Sequence, residues 1–122
     1  MKLTNEQKTR MLAEGVMGWK ASWYEPLTNL HVEVWEIDGQ ETHRVNDWDP
    51  IHNESHAAEV REAMRTKGYN CLQMHSVAGA NMCDFFVDAT TSLRPEHSSE
   101  TPAIAICHAA LLAMGLAMEE EL

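Results

Sequence analysis

Residues 31–46 have the sequence HVEVWEIDGQETHRVN, which is the clearest hairpin pattern in the chain. Its first half, 31–37, alternates polar residues with β-branched and aromatic ones, which is the period of a half-buried strand. Asp38-Gly39 follows directly and is a strong signal for a two-residue hairpin turn. Residues 40–46 are therefore predicted to return as a partner strand, and their polarity on both faces suits a sheet edge.

A second hairpin is predicted further along the chain, from residues 69–76 and 81–88, with a short turn between them. The segment before the first hairpin, residues 20–29, contains Pro26 and is predicted to be a loop that leads into the sheet. Two tight hairpins give antiparallel pairs, so the expected sheet has four strands.

Three helices are predicted from their caps. Thr and Asn favour helix starts because their side-chain oxygens accept hydrogen bonds from unpaired N–H groups of the first turn. The predicted helices are residues 5–18 after Thr4, residues from the cap Asn53 to about Lys67, and a segment from Thr101 and Pro102 that stops at Gly115. The sequence thus predicts an α+β fold, a four-stranded antiparallel sheet flanked by three helices in a layered α/β/α sandwich.

Composition limits the classes of function. The 122 residues predict one domain, with the acidic tail 117–122 frayed. Nine basic against 19 acidic residues give a net charge of −10, which disfavours binding to duplex nucleic acid or an anionic membrane. The chain has three cysteines and no CxxC pair, which favours reduced thiols. Its N-terminus lacks the apolar stretch of a signal peptide, so we expect a cytoplasmic protein.

Two tryptophans are candidate ligand-binding residues. Trp19 ends the first helix and Trp48 precedes Asp49-Pro50, and large side chains at element boundaries often line clefts. An indole face can stack on a nucleobase. The alternative is that both indoles plug the ends of the core.

Anionic groups have their own candidate residues. Helix starts attract phosphate and carboxylate, so the N–H groups near Asn53 and Thr101 are candidates, with Arg61 as a cation and His52 or His56 as a further donor. Arg61 belongs to the main basic cluster of the chain, which also has a simpler interpretation as a solvated helix face.

Catalytic and metal-binding patterns are weak. His52 and His56 are four residues apart, but the string HNESH is not HExxH, and Asn53 as a cap would leave His52 outside the helix. Cys107 and His108 could suggest a catalytic thiol with its base, but a small buried thiol in an apolar helix explains Cys107 without catalysis. No phosphate-binding loop or nucleophile motif is present, so we expect no enzymatic activity, no metal and no cofactor. Cys71 and Cys83 lie near facing positions of the second hairpin, although a reducing cytosol argues against a bond between them.

Three strings carry a resemblance to a known family: Val16-Met17-Gly18-Trp19, Trp48-Asp49-Pro50 with Asn53 and Ala57, and Thr101-Pro102-Ala103-Ile104-Ala105-Ile106-Cys107 with Ala109, Ala110, Leu111 and Gly115. In this order and spacing the chain resembles the phage ABA sandwich domain proteins over about residues 10–116. The resemblance implies a helix–sheet–helix layered fold and a phage accessory protein in the bacterial cytoplasm, with no established catalytic activity. Residues 89–100 and the acidic tail depart from the family pattern, so nothing is carried over to them.

Two functions are expected from these observations. The first is a phage protein that counters bacterial defence by sequestering a small nucleotide-derived signal, a cyclic nucleotide or an ADP-ribose derivative, without turnover. Such pockets commonly form between subunits, so a dimer or higher homo-oligomer is expected. The alternative is an acidic adaptor that binds and inhibits a host protein, towards whose basic surface a charge of −10 would steer it.

Overall fold

The computed structural model describes residues 2–27, 30–75, 81–87 and 101–122, with the backbone alone for 24–27, 30 and 31. The described chain has an α+β fold, as predicted, with three helices and two antiparallel sheets. The helices are α1 (Asn5–Met11), α2 (Glu54–Thr66) and α3 (Pro102–Ala113), and short turns of π-helix and 3₁₀-helix occupy Leu12–Val16 and Glu119–Glu121. The strands are β1 (Lys20–Leu27), β2 (Leu30–Ile37), β3 (Gln40–Arg44), β4 (Asn70–His75) and β5 (Asn81–Phe86).

The first predicted hairpin is confirmed as β2 and β3. Asp38 and Gly39 have φ angles of 52° and 78°, and a type I′ turn needs positive φ at both central residues. The antiparallel register runs from Ile37 opposite Gln40 to Val34 opposite Arg44. β3 is exposed at four of its five positions, as expected for an edge strand.

The segment predicted as a loop before β2 is instead β1. Its backbone pairs antiparallel with β2 from Lys20 opposite Glu36 to Tyr24 opposite Val32. The register then shifts before Leu27 pairs with Leu30, and Pro26 falls within this irregular stretch. A proline is tolerated where ladder hydrogen bonds are interrupted, so Pro26 did not exclude a strand.

The predicted single four-stranded sheet is wrong. β4 and β5 do pair antiparallel, from Asn70 opposite Phe86 to His75 opposite Asn81, but they form their own two-stranded sheet. The other sheet has the order β1-β2-β3. β1 and β3 flank β2 on its two sides, so neither strand of the second hairpin pairs with β2.

The first helix begins as predicted but ends differently. Thr4 Oγ1 accepts from Gln7 N at 3.1 Å, and Gln7 Oε1 accepts from Thr4 N at 2.8 Å, which completes a capping box. After Met11 the helix widens into the π-helical turn, in which Met17 N donates to Leu12 O at 2.9 Å. Gly15 lies in this turn, and a Cβ there would come within 2.6 Å of Leu116 Cδ1, so its small size allows close packing.

The caps of the other two helices are confirmed. Asn53 Oδ1 accepts from His56 N at 3.1 Å at the start of α2, and Thr101 Oγ1 accepts from Ile104 N at 3.2 Å at the start of α3. Pro102 occupies the first turn of α3, where its missing N–H costs no helical hydrogen bond.

α3 lies at the centre of the packing. It contacts β5, α2, α1 and the π-helical turn, and seven of its twelve residues are buried. The largest fully buried side chains of the described core include Trp35, Trp48, Leu12 and Ile51. None of the described helices is long and apolar enough to cross a membrane.

The acidic tail, expected to fray, is docked in this structure. Leu3 N donates to Glu121 O at 2.8 Å, and Leu122 packs against the core. Lys8 is 6% exposed, its Nζ reaches Leu122 O at 3.5 Å and His108 Nε2 at 3.1 Å, and burial lowers the pKa of its ammonium group. Residues 89–100, which depart from the family pattern, and the turn of the second hairpin lie outside the described residues.

Candidate functional site

The predicted site residues fall in two separate places. Trp19, Trp48 and His56 meet in an aromatic cluster that also contains His43 and Glu59. Arg61 instead lines a groove between α2 and α3, beside the N-terminal turn of each. Asn53 and Thr101 cap these two helices.

The indoles of the aromatic cluster are buried. Trp19 is 7% exposed and Trp48 is 1% exposed, and their rings meet edge to face with centroids 4.7 Å apart. His43 lies 5.6 Å from the Trp19 ring and 5.1 Å from the His56 ring, centroid to centroid. Neither indole presents an open face to solvent, and both belong to the hydrophobic core.

Glu59 organises the polar side of this cluster. Its Oε2 accepts from Trp48 Nε1 at 3.2 Å, and its Oε1 lies 2.9 Å from His43 Nε2. One carboxylate from α2 thereby joins the edge strand β3 to the segment that follows it. The carboxylate keeps the buried indole N–H satisfied, which a buried polar group requires.

The hydrogen bond of His56 fixes its tautomer. The backbone N–H of Asp49 donates to His56 Nδ1 at 2.9 Å, so in the neutral ring Nε2 carries the proton. His52 does not share the helical face of His56, because it precedes the cap, and its Nδ1 lies 2.8 Å from Asp49 Oδ2. Both histidines of the possible metal pair therefore contact Asp49, His56 through the backbone N–H and His52 through the carboxylate.

His43, His56 and Glu59 could bring three ligand atoms within 4.8 Å of one another, which raises the question of a metal. A metal-bound histidine donates its other ring N–H to an acceptor, whereas here the other nitrogen of His56 already accepts a backbone N–H. Only His43 and Glu59 remain as good ligands, fewer than the three protein ligands of a catalytic zinc site. The cluster is better described as a hydrogen-bonded network.

We expect Zn²⁺ to leave this cluster unchanged. A ligand that binds only the folded state raises the thermal unfolding midpoint. Because this cluster is expected to bind no zinc, a tenfold excess of Zn²⁺ should change the midpoint by the same amount in the wild type and in His43→Gln. A rise of several degrees that His43→Gln abolishes would contradict the hydrogen-bonded description. Comparison with His43→Gln distinguishes an effect of zinc at this cluster from an effect of zinc at the cysteines, because thiolates are also zinc ligands.

The α2–α3 groove is a small open cavity of about 190 Å³. Its lining comprises Glu54, Ala57, Ala58 and Arg61 of α2, Gln73 of β4, and Pro102, Ala103 and Ile106 of α3. Because the first N–H groups of a helix have no acceptor within the helix, two partially positive helix ends lie beside this groove.

Arg61 carries the charge of the groove. Its Nη1 donates to Gln73 Oε1 at 2.9 Å, and it makes no ion pair with any carboxylate of the described residues. Arg65, four residues later, instead pairs with Glu62 at 3.2 Å. The charge of Arg61 is thus available to an anion, although Glu54, on the same helix and in the same groove, limits the total negative charge that the groove accepts.

A second groove of about 190 Å³ adjoins the first and shares Gln73 and Pro102 with it. It adds the polar side chains of His75 and Asn81, whose Nδ1 and Oδ1 lie 2.9 Å apart. Together the two grooves reach the lower end of the roughly 300–1,000 Å³ typical of small-molecule pockets.

Another cleft, of about 320 Å³, opens beside α1 and Trp48. Its lining includes Glu6 and Asp49 as well as Arg10 and His52. Arg10 is bound to Glu33 at 2.9 Å, and His52 to Asp49 at 2.8 Å, so both side chains already have a carboxylate partner. This cleft suits an anion less well than the α2–α3 groove.

Cys107 has the environment of a packing residue. It is 0% exposed, its Sγ lies 3.3 Å from Pro50 O as a donor, and burial raises the pKa of its thiol. The thiol therefore stays protonated and is a poor nucleophile.

The sequence did not identify Glu59 or Gln73 as site residues. Glu59 lies three residues after His56, a spacing that places both on one face of α2. The contact of Glu59 with His43 and that of Arg61 with Gln73 join residues 16 and 12 positions apart on different elements, so no local pattern reveals them.

Comparison with known proteins gives one match. The family model of the phage ABA sandwich domain matches residues 10–111, most of the 122-residue chain. No curated protein and no solved structure matches the chain.

Proposed function

The chain belongs to the phage ABA sandwich domain family, and from this premise we propose that it is a phage protein that counters bacterial defence by sequestering a nucleotide-derived signal. The ligand would be a cyclic nucleotide or an ADP-ribose derivative, held in the bacterial cytoplasm without turnover. Binding, and not catalysis, is proposed because Arg61 and two helix N-termini at one groove suit the capture of an anion.

The observation that carries this proposal is the position of Arg61 in the α2–α3 groove. A guanidinium without a carboxylate partner among the described residues lies beside two helix N-termini, in a chain of net charge −10. Arginine and helix N-termini both bind phosphate. The sequence proposed Arg61 and the starts of α2 and α3 as the anion-binding elements, and the groove lies where these elements meet.

The base would then bind in the adjoining groove. Gln73, His75 and Asn81 offer donors and acceptors for a base edge there. Trp19 and Trp48, first considered as stacking residues, would act by supporting α2 through the aromatic cluster, since their rings are buried. Both grooves are open to solvent, so we propose that a second copy of the chain completes the site in a dimer or larger homo-oligomer.

Depletion of ligands from solution tests the proposal. Excess protein is incubated with a panel of cyclic oligonucleotides and ADP-ribose derivatives and removed by filtration, and molecules released from the heated retentate are identified by mass. We expect one unmodified nucleotide to be recovered. Arg61→Ala should weaken its binding roughly ten- to hundredfold, because a charge-assisted hydrogen bond contributes about 1.5–3 kcal/mol.

Arg65→Ala is the matched control, because Arg65 lies on the same helix but pairs with Glu62 away from the groove. It should bind as the wild type does. Equal binding by Arg61→Ala would exclude the α2–α3 groove as the site. Release of a chemically altered nucleotide would instead show an enzyme.

The alternative function is an acidic adaptor that inhibits a host protein. One observation favours it, since Trp23 on β1 is 69% exposed and tryptophan is the residue type most enriched at binding hot spots. The same depletion experiment separates the two functions. If a panel that a known binder depletes is left intact, the adaptor becomes the better proposal, and Trp23→Ala is its first test.

A further inference from the structure

The β4–β5 hairpin brings two cysteine sulfurs together. Cys71 faces Phe85 in the register and Cys83 faces Gln73, so the two cysteines are diagonal neighbours on one face of the hairpin. Their Sγ atoms lie 4.0 Å apart. A disulfide needs about 2.05 Å, so the sulfurs are within reach of a bond through side-chain rotation and a small backbone adjustment.

The two thiols have different environments. Cys83 is 2% exposed, whereas Cys71 is half-buried and in reach of solvent. A hydrogen bond between the two sulfurs, assisted by the charge of Arg61, lowers the pKa of Cys71 to about 7. The same hydrogen bond and burial raise the pKa of Cys83. The sulfur whose pKa is lowered is therefore also the one that solvent can reach.

We propose that Cys71 is a peroxide-reactive thiolate and that Cys83 converts its oxidised form into a cross-strand disulfide. The Cys71 thiolate attacks one oxygen of a hydroperoxide, the O–O bond breaks, and Cys71 becomes a sulfenic acid while the other oxygen leaves as water or alcohol after taking up a proton. Cys83 sulfur then attacks the sulfenic sulfur, the S–O bond breaks, and the hydroxyl leaves as water with the proton of Cys83. Two thiols lose two electrons in total, and the peroxide gains them.

This chemistry is compatible with a reducing cytosol, because the disulfide forms only when a peroxide is present and other thiols reduce it again.

Cys107 serves as an internal reference for thiol reactivity. It is fully buried, its S–H is bound to Pro50 O, and burial raises the pKa of its thiol. The order of reactivity expected in the folded protein is therefore Cys71 first, with Cys107 inert.

The test is hydrogen peroxide treatment of the folded protein, with no nucleotide present, followed by alkylation under denaturing conditions and peptide mapping. We expect one cross-link between Cys71 and Cys83, with Cys107 still reduced. Cys83→Ala should stop at a sulfenic acid on Cys71 that dimedone traps, and Cys71→Ala should leave Cys83 reduced. Absence of the cross-link in the folded wild type, or oxidation of Cys107 as fast as Cys71, would overturn the proposal.

The pH dependence of iodoacetamide alkylation supplies a second readout. The rate at Cys71 should have its midpoint near pH 7. In Cys83→Ala the midpoint should rise towards the ordinary value of about 8.5, and the rate at pH 6 should fall about fivefold after allowance for the greater nucleophilicity of the more basic thiolate. Cys107→Ala should leave the profile unchanged. An unshifted midpoint in a folded Cys83→Ala variant would show that Cys83 does not activate Cys71.

Discussion

Replacement of Trp48 by alanine should lower the free energy of unfolding by about 3–5 kcal/mol. Trp48 is 1% exposed, packs edge to face on Trp19, and donates its indole N–H to Glu59. The substitution removes a large buried ring and leaves a cavity between the edge strand β3 and α2. Urea unfolding followed by circular dichroism at 222 nm measures the loss independently of tryptophan fluorescence.

A comparison of two phenylalanine variants separates the hydrogen bond from the packing. Trp35 is 0% exposed, and its Nε1 is the one buried side-chain nitrogen or oxygen in the described chain without a hydrogen-bond partner. Trp35→Phe therefore removes a donor that has no partner, whereas Trp48→Phe breaks a bond and leaves an acceptor of Glu59 unpaired. We expect Trp48→Phe to cost at least about 1 kcal/mol more than Trp35→Phe. Equal costs would mean that the indole–carboxylate contact contributes little.

Replacement of Glu59 by alanine should cost about 2 kcal/mol, although Glu59 lies on a partly exposed helix face. Its loss leaves the buried Trp48 N–H without an acceptor and His43 Nε2 without its partner. An ordinary surface substitution changes stability by no more than about 0.5 kcal/mol, so the two results are distinguishable in urea unfolding.

Glu59→Gln is the matched control. The glutamine oxygen can accept from Trp48, and its amide nitrogen can donate to His43 Nε2 in the appropriate tautomer, so most of the stability should return. A double-mutant cycle of Trp48→Phe with Glu59→Ala should show a coupling of about 1 kcal/mol. Additive costs would refute a direct role of Glu59 in holding the indole.

Local signals predicted most elements of this fold. The Asp38-Gly39 turn and the caps Asn53 and Thr101 act within a few residues, and all three occur as expected. The missed strand β1 depends on pairing with β2, and a proline inside it masks the signal. Assignment of strands to sheets is a tertiary property, and no local pattern indicates that β4 and β5 form a sheet of their own.

The sequence proposed some residues of the candidate site and missed others. Arg61 and the two helix starts were identified from residue type and helix position, and the structure brings them to one groove. The partners His43, Glu59 and Gln73 come from other elements, and only the packed fold brings them close. Tryptophans at element boundaries were ambiguous between cleft and core, and in the structure both rings lie within the core.

The central position of α3 has a consequence for how the molecule opens. Its contacts with β5, α2, α1 and the π-helical turn mean that it cannot detach without releasing each of them. Backbone amides from Ile106 to Leu111 should therefore exchange with deuterium only through cooperative opening of the whole domain, whereas those of the edge strand β3 exchange through local fluctuations. A substitution that stabilises any element in contact with α3 should therefore slow hydrogen exchange of the α3 amides, which are expected to be the slowest in the described chain.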